Sequence, residues 1–480
     1  MSRKSTFLWY DFETFGVDPR RDRPVQFAAI RTDMDLNIVG DPIDILCRPA
    51  TDCLPDPIAS LITGISPLKA LETGMSEKEF ADQIFNQMSM PDTCTLGYNS
   101  IRFDDEVTRF MFYRNLIDPY QREWKMGNSR WDLLDVVRMT WALKPESLNW
   151  PMKENGQVSF KLDQLTPANG IGHENAHDAL SDVRATIDLA RVIKTAQPDL
   201  FNYAFELRQK NLVSKKLDLM ARKPVLHISG RFPTEKGCMA MVVPIAKLPD
   251  NPNGIICFNL SQSPEVLTQL SVEEIQQRLF STREELEKSG HERIGLKVIH
   301  LNKSPMIVPA AMLTHDIAEK FGHNLSSIRA NYETIKKLPD LSHLLSQVFS
   351  RQFPEDSDVD LQLYQGFISN TDRARLNDVR EWQPFSADIK GIGFEDARLP
   401  EQLFRYWCRN WPEQIPERFK VVWQEHCRRS LTELDVGSPR TMASVRQEVE
   451  ELSQSHSEYA QLWSDFGQYL LIQDNQISIS

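Results

Sequence analysis

The segment FLWYDFET, residues 7–14, constrains the fold more than any other short stretch of the chain. Phe7, Leu8, Trp9, Tyr10 and Phe12 favour a pleated, half-buried strand. Side chains alternate along a strand with a period of two, so Asp11 and Glu13 point to the same face. Two carboxylates at that spacing repel, and each loses hydration if the strand is buried. A divalent cation such as Mg²⁺ or Mn²⁺ relieves both costs, because carboxylate oxygens are its natural ligands. The alternative is a solvated edge strand with both acids facing water. Asp-x-Glu pairs are common by chance, so this stretch alone leaves both readings open.

The surrounding pattern alternates. VQFAAIRT and TCTLGYN read as strands, and SEKEFADQIFNQM, DEVTRFMFYRN and DALSDVRATIDLARVIKTAQ as helices. Residues 1–197 are therefore expected to form an α/β domain around a mixed sheet. Residues 198–350 change character. VLHISG, CMAMVVPIAK, GIICFNL and LKVIHLNKSPMIVP read as short strands set apart by Gly and Pro, with SVEEIQQRLFSTREELEK as an inserted helical pattern. RQFPEDSDVD, residues 351–360, is polar and acidic and reads as a linker. Residues 354–480 keep helical spacing almost to the end, as in PERFKVVWQEHCRRSLTEL and SVRQEVEELSQSHSEYAQLWSDFGQYLL.

Several classes are disfavoured. No run of about 18 apolar residues is present, so no transmembrane helix is expected. The start, MSRKSTFLWYDFE, has basic residues, but its apolar run is too short for a signal peptide and soon meets acids. The seven cysteines are widely spaced and form no C-x-x-C, so they read as reduced thiols. A cytoplasmic location is the expectation. The net charge of −12 argues against a non-specific nucleic-acid binder, although binding depends on where the basic groups cluster.

A two-metal site draws three or four carboxylates from distant segments. In GYNSIRFDDEVTR, residues 97–109, Asp104 and Asp105 fall at a helix start. The helix dipole favours acids there in any case, so an ordinary acidic first turn remains open. In NAHDALSDVRATIDLAR, residues 175–191, His177 lies at or just before a helix start and Asp182 follows. Leu180, Val183, Ile187 and Ala190 mark the buried stripe, with Asp182 near its edge. His173 and Asp178 read as capping or surface groups.

These residues carry a resemblance. D-F-E, N-S-I-R-F-D and H-D-A-L-S-D resemble, in order and spacing, the three motifs of the DEDDh exonuclease superfamily. DFETFG, DRPVQFAAIRTD, LITGISP, LGYNSIRFDDEVTRFMFYRN, NSRWDLLDVVR and NAHDALSDVRATI are similar to bacterial exonuclease I. The likeness runs on through VLHISG and LNKSP to QLYQGFIS and LFRYWCRNWP. It implies an RNase H-like (DEDDh) exonuclease domain with a mixed sheet, then an SH3-like β domain with helical insertions, then an all-helical C-terminal domain. It implies processive 3′→5′ degradation of single-stranded DNA to 5′-mononucleotides, with a role in DNA repair and recombination. The implied metal ligands are Asp11, Glu13, Asp104 and Asp182, with Asp104 preferred to Asp105 because it follows Phe103. They would hold two Mg²⁺ ions, with Mn²⁺ able to substitute. Glu13 also falls at a substrate-contacting position, and His177 at the general-base position. An ordinary imidazole pKa of about 6.5 suits that task.

A strand-binding surface combines cations with stacking rings. Between residues 109 and 144, Arg109, Arg114, Arg122, Lys125, Arg130, Arg138 and Lys144 interleave with Phe112, Tyr113, Tyr120, Trp124, Trp131 and Trp141. With the resemblance, Arg109, Tyr120, Trp124 and Arg138 are expected to contact DNA. The plainer reading makes half of these rings core and pairs several arginines with nearby acids. Lys161, in SFKLDQL, stands where the family pattern has arginine, which replaces a bidentate contact by a point charge. Tyr203 with Arg208, Lys210, Lys215, Lys216, Arg222 and Lys223 extends the track, binds a partner or is a solvated helix. Family members bind the acidic C-terminal tail of single-stranded-DNA-binding protein. The segment AMLTHDIAEKFG lacks the arginine that the family pattern has before this helix. A monomer fits the enclosing architecture, and no membrane partner is expected. Two other readings compete. A nuclease of RNA ends conflicts with the three-region length. A non-catalytic scaffold predicts a missing carboxylate or histidine, and none is missing.

Overall fold

The aromatic run at the start of the chain builds the central strand. In the computed structural model, which describes residues 5–172, 178–350, 356–434 and 438–478, strand β1 spans Thr6–Thr14. The chain divides into two compact units that do not follow its order. One comprises Met1–Ser129, His173–Arg184 and Pro354–Ser480, the other Arg130–Gly172 and Ala185–Phe353.

In the first unit β1 lies between β2 (Pro24–Thr32), antiparallel to it, and β4 (Thr93–Gly97), parallel to it. β3 (Ile43–Leu46) extends the sheet beyond β2. This is the expected mixed sheet. β1 is central, so Phe7 to Tyr10 are buried without a break, and alternation appears only where Asp11 and Glu13 leave the core. Helix α1 (Glu77–Met88) packs Phe80, Ala81, Ile84 and Met88 against Leu8, Tyr10, Phe12 and Phe27. Its N-terminus is a capping box between Ser76 and Glu79. Helix α2 (Asp104–Arg114) covers the same core with Val107, Met111 and Phe112. Helix α3 (Ala179–Ala196) contributes its first turns to this unit.

The acidic stretch expected to be a linker is fixed where it is described. Asp360 is buried and pairs with Arg23, Arg405 and Arg409, and Asp358 pairs with Arg405 at 2.5 Å. Asp52, from the N-terminal part of the chain, joins through Arg409 at 2.6 Å and His426 at 3.1 Å. Burial alone would raise the Asp52 carboxyl. Arg409, the His426 hydrogen bond and Arg23 outweigh it and hold the group well below the usual range. The composition suggested solvation because arginines this distant in sequence are invisible to a local reading.

Long helical patterns also break where caps intervene. SVRQEVEELSQSHSEYAQLWSDFGQYLL forms two helices, Met442–Ser455 and Ala460–Ser478, parted at His456.

The second unit holds an antiparallel sheet in the order β10-β6-β7-β8-β9. Its strands are β6 (Val225–Ile228), β7 (Met239–Lys247), β8 (Gly254–Asn259), β9 (Leu296–His300) and β10 (Met306–Pro309). A short strand, β5 (Ser129–Asp132), precedes them in the chain. LKVIHLNKSPMIVP thus supplies two strands, one at each end of the sheet order. SVEEIQQRLFSTREELEK is two helices, because Thr282 forms a fresh capping box with Glu285. All seven cysteines are buried, and none of them is in a disulfide.

Candidate active site

β1 carries Asp11 and Glu13 half-buried on one face, while Tyr10 and Phe12 enter the core on the other. Asp182, in the first turn of α3, meets them. Ligand oxygens of Asp11, Glu13 and Asp182 lie within 4.8 Å of one another. Asp104 opens α2 and is almost fully buried. Its Oδ1 accepts the Phe12 backbone N–H at 3.1 Å, which joins α2 to the residue between the two strand acids. The turn into α2 is tight. At Gly97 a Cβ would stand 2.4 Å from the Tyr10 carbonyl oxygen, so only glycine fits.

The carboxylates repel one another. Burial, then Asp104, Glu13 and Asp182, push the Asp11 carboxyl well above its ordinary value. Burial, then Asp182, Asp104 and Asp178, push Glu13 up to about 8. Four acids gathered here, with no cationic side chain among the described residues that shift Asp11 or Glu13, fit divalent cations, which take hard oxygen ligands. Asp178 behaves as a cap: its Oδ2 accepts the Ser181 N–H at 3.0 Å. His177 and His173 lie outside the described residues.

A second network lies behind the acids, unnoticed in the sequence. Asp105 is buried and accepts the Tyr10 hydroxyl at 2.8 Å. It pairs with Arg122, which is 0% exposed and also donates to Thr95 Oγ1 at 3.0 Å. Burial and then the Asp105 charge hold the Tyr10 hydroxyl protonated, with its pKa well above the ordinary value. Adjacent aspartates thus have different employment, Asp104 beside the strand acids and Asp105 in an ion pair. The doubled Asp is the sequence signal of this network, and Arg122 shows its role only through its partner.

The basic and aromatic stretch divides along the plainer reading. Arg114 pairs with Glu77, Arg122 with Asp105, and Phe112, Tyr113 and Trp131 are core. Arg109 is buried and donates to Glu106 at 2.7 Å and Glu123 at 2.8 Å, with its guanidinium 5.4 Å from the Tyr120 ring centre. Those pairs fix the guanidinium beside the Tyr120 ring. Trp124 is 66% exposed, as stacking requires. In the second unit Arg138 pairs with Asp135 at 2.6 Å, and Lys161 is exposed just before the helix Leu162–Ala168. Tyr203 donates its hydroxyl to the Ile307 carbonyl at 2.9 Å, and the Lys216 ammonium sits 4.7 Å from its ring centre.

Comparison with known proteins places these features in a family. Residues 8–190 match the family described as Exonuclease, 208–351 the exonuclease I SH3-like domain, and 357–470 the exonuclease I C-terminal domain. The chain is 41% identical over 438 residues to exodeoxyribonuclease I of Haemophilus influenzae, covering 90% of this chain and 92% of that one. Its fold is similar to the zinc-bound form of the Escherichia coli exonuclease I–single-stranded DNA complex. That likeness has a TM-score of 0.91 and 40% identity, and covers 98% of this chain and 100% of that one. A structure of SSB/exonuclease I in complex with the inhibitor CFAM is similar too. Its TM-score is 0.89 and its identity 38%, covering 98% of this chain and 100% of that chain.

Proposed function

The chain belongs to the exonuclease I family, and we propose from that premise that it shortens single-stranded DNA processively from the 3′ end, releasing 5′-mononucleotides. The observation that carries the reading is the convergence of Asp11, Glu13 and Asp182 within 4.8 Å, with Asp104 tied to the same strand. These four would hold two divalent cations, Mg²⁺ or in its place Mn²⁺. Such a pair supplies an activated water and charge stabilisation on the phosphate and leaving oxygen. The chain's own part is to place the acids rigidly on β1, α2 and α3. His177, by its position in the motif, takes the proton from the attacking water.

Glu13, Arg109, Tyr120, Trp124, Lys161 and Arg138 are the residues we assign to the strand, the Arg109 guanidinium lying beside the Tyr120 ring. As functional modules we take residues 1–197 as the exonuclease domain, 198–350 as the SH3-like domain and 354–480 as the helical domain. Single-stranded-DNA-binding protein is the expected partner, supported by the SSB/exonuclease I structure. Monomeric state, a cytoplasmic location and a role in DNA repair and recombination follow from the same family reading. Among the described residues no helix is long and apolar enough to cross a membrane.

The test is a time course on 5′-labelled single-stranded DNA with Mg²⁺, alongside EDTA, duplex, RNA and Asp182→Ala controls. Stepwise shortening from the 3′ end, abolished by EDTA and by the substitution, supports the reading. Preferential trimming of RNA would replace it with an RNA-end nuclease.

A further inference from the structure

The sheet of the first unit ends in an open strand. β3 pairs with β2 and closes the strand order on that side. The Cys47 N–H donates to the Val25 carbonyl at 2.8 Å, which sets the phase of the ladder. Ile43 and Ile45 therefore turn their backbone groups to β2, and Asp44 turns its N–H and carbonyl to the open side. Further along, the Met75 N–H takes up the Leu46 carbonyl at 3.0 Å, so the opening lies on the Asp44 side of Leu46. A groove of about 200 Å³ runs between β3 and α1. It is lined by the buried Phe27 and Ile84, by the half-buried Ile43 and Ile45 of the strand, and by Asn86 and Gln87 of the helix. Side chains alternate along a strand, so Asp44 points to the other face, where it accepts the Gln26 amide at 2.8 Å and stays exposed. Asp41 is exposed too, and residues 32–47 hold four aspartates and no lysine or arginine.

We propose that β3 takes up an extended segment of a basic partner protein as an added strand. Its apolar residues enter the groove, and lysines or arginines alternate with them on the face of Asp44. Strand addition needs an open ladder beside a pocket for alternate side chains, and both are here. The groove is smaller than the ~300–1,000 Å³ of drug-sized sites, so it fits side chains rather than a cofactor. The charge selects the partner. A cation across from Asp44 forms a favourable cross-strand pair, whereas an acid there is repelled. A second copy of this chain would set the same acids against one another, because a two-fold interface opposes like surfaces. DNA and an acidic tail are repelled by the same aspartates, so the site is separate from the nuclease reading above. Charges on an edge strand also guard it against aggregation. That role accounts for Asp44 but not for the apolar groove beside it. β3 is four residues long, which makes the contact a transient one.

The experiment titrates the chain into a fluorescein-labelled, capped peptide that alternates valine and lysine, following anisotropy and hydrogen exchange in Ile43–Leu46. The expected result is saturable binding that slows exchange in this segment, because the Asp44 N–H enters the new ladder. Replacing the peptide's lysines by glutamates weakens binding at least about tenfold. Asp44→Asn keeps an acceptor for Gln26 but removes the charge, and weakens binding about two- to fivefold. Asn86→Trp, at an exposed position, fills the groove and weakens binding about tenfold, while DNA digestion stays at the wild-type rate. With a net charge of −12, the chain can also attract a lysine peptide without strand pairing. Binding that leaves the exchange unchanged, or that survives both substitutions, is of that kind and overturns the proposal. Equal affinity for the lysine and glutamate peptides, or no binding, overturns it too. A dimer of the chain in sedimentation that Asn86→Trp breaks would give this face to a second copy, and the proposal would fall.

Discussion

The backbone N–H of Phe12 donates to Asp104 Oδ1 at 3.1 Å, which ties the strand that carries Asp11 and Glu13 to the helix that opens with Asp104. Two residues earlier the Tyr10 hydroxyl reaches Asp105 at 2.8 Å, so strand and helix are fastened twice. Arg122 neutralises Asp105 and prevents a fifth buried negative charge beside the site. Removing one partner of a buried ion pair leaves an uncompensated charge. Arg122→Met is therefore expected to cost about 3–5 kcal/mol of stability. Tyr10→Phe removes a single hydrogen bond and should cost about 1–3 kcal/mol. Urea unfolding measures both. Equal, small losses would mean that the network carries little of the fold.

Asp182→Asn separates metal binding from folding. The substitution keeps the side-chain shape and deletes one charge from the repelling set. Asp182 is the first electrostatic cause, after burial, of the raised Glu13 value. The metal-free variant should therefore unfold at a higher temperature than the wild type, while hydrolysis falls by more than ~100-fold. Changes at residues that only support metal ligands already cost 10–100-fold. A hydrolysis time course with Mg²⁺ and a thermal scan in EDTA give the two numbers. A variant destabilised without metal would show that Asp182 is held by attraction.

Much of the site was legible because its acids sit in local patterns. Asp11 and Glu13 follow from the period of a strand, and Asp182 from the edge of a helical stripe. What escaped is what depends on distant chain segments. Asp360 looked like linker until Arg23 and Arg409 surrounded it, and Arg122 looked like a strand-binding cation until Asp105 and Thr95 enclosed it. A charge pattern gives the sign of a residue but not its partner.

Arg109 and Trp124 should separate in mutagenesis. Arg109 spends its donors on Glu106, Glu123 and Tyr364, whereas Trp124 is largely open. Arg109→Ala should lower stability by about 3–5 kcal/mol, with a smaller loss of DNA affinity. Trp124→Ala should leave stability within about 0.5 kcal/mol and cost about 1–3 kcal/mol of binding to single-stranded DNA. Anisotropy titrations at two salt concentrations, with unfolding curves for both variants, decide it. A reversed pattern would make the strand the main business of Arg109 and the scaffold that of Trp124.

The raised carboxyls make stability, pH and metal interdependent. Asp11 and Glu13 titrate above the ordinary carboxyl value of about 4, Glu13 at about 8. The folded state therefore holds these protons more tightly than the unfolded chain. The stability that Glu13 contributes is complete below the unfolded value and is lost as pH rises through about 8, and that of Asp11 is lost in the same direction. Divalent cations need the deprotonated ligands and reverse the trend. In EDTA, Tm should fall between about pH 6 and about pH 8.5, the range through which Glu13 ionises. With Mg²⁺ the rise in Tm should be larger at the higher pH, equivalent to about 2.7 kcal/mol once the ion exceeds its dissociation constant a hundredfold. Asp11→Asn with Glu13→Gln should abolish both effects. A metal-induced rise that shrinks as pH increases would mean that the cation binds somewhere other than these carboxylates.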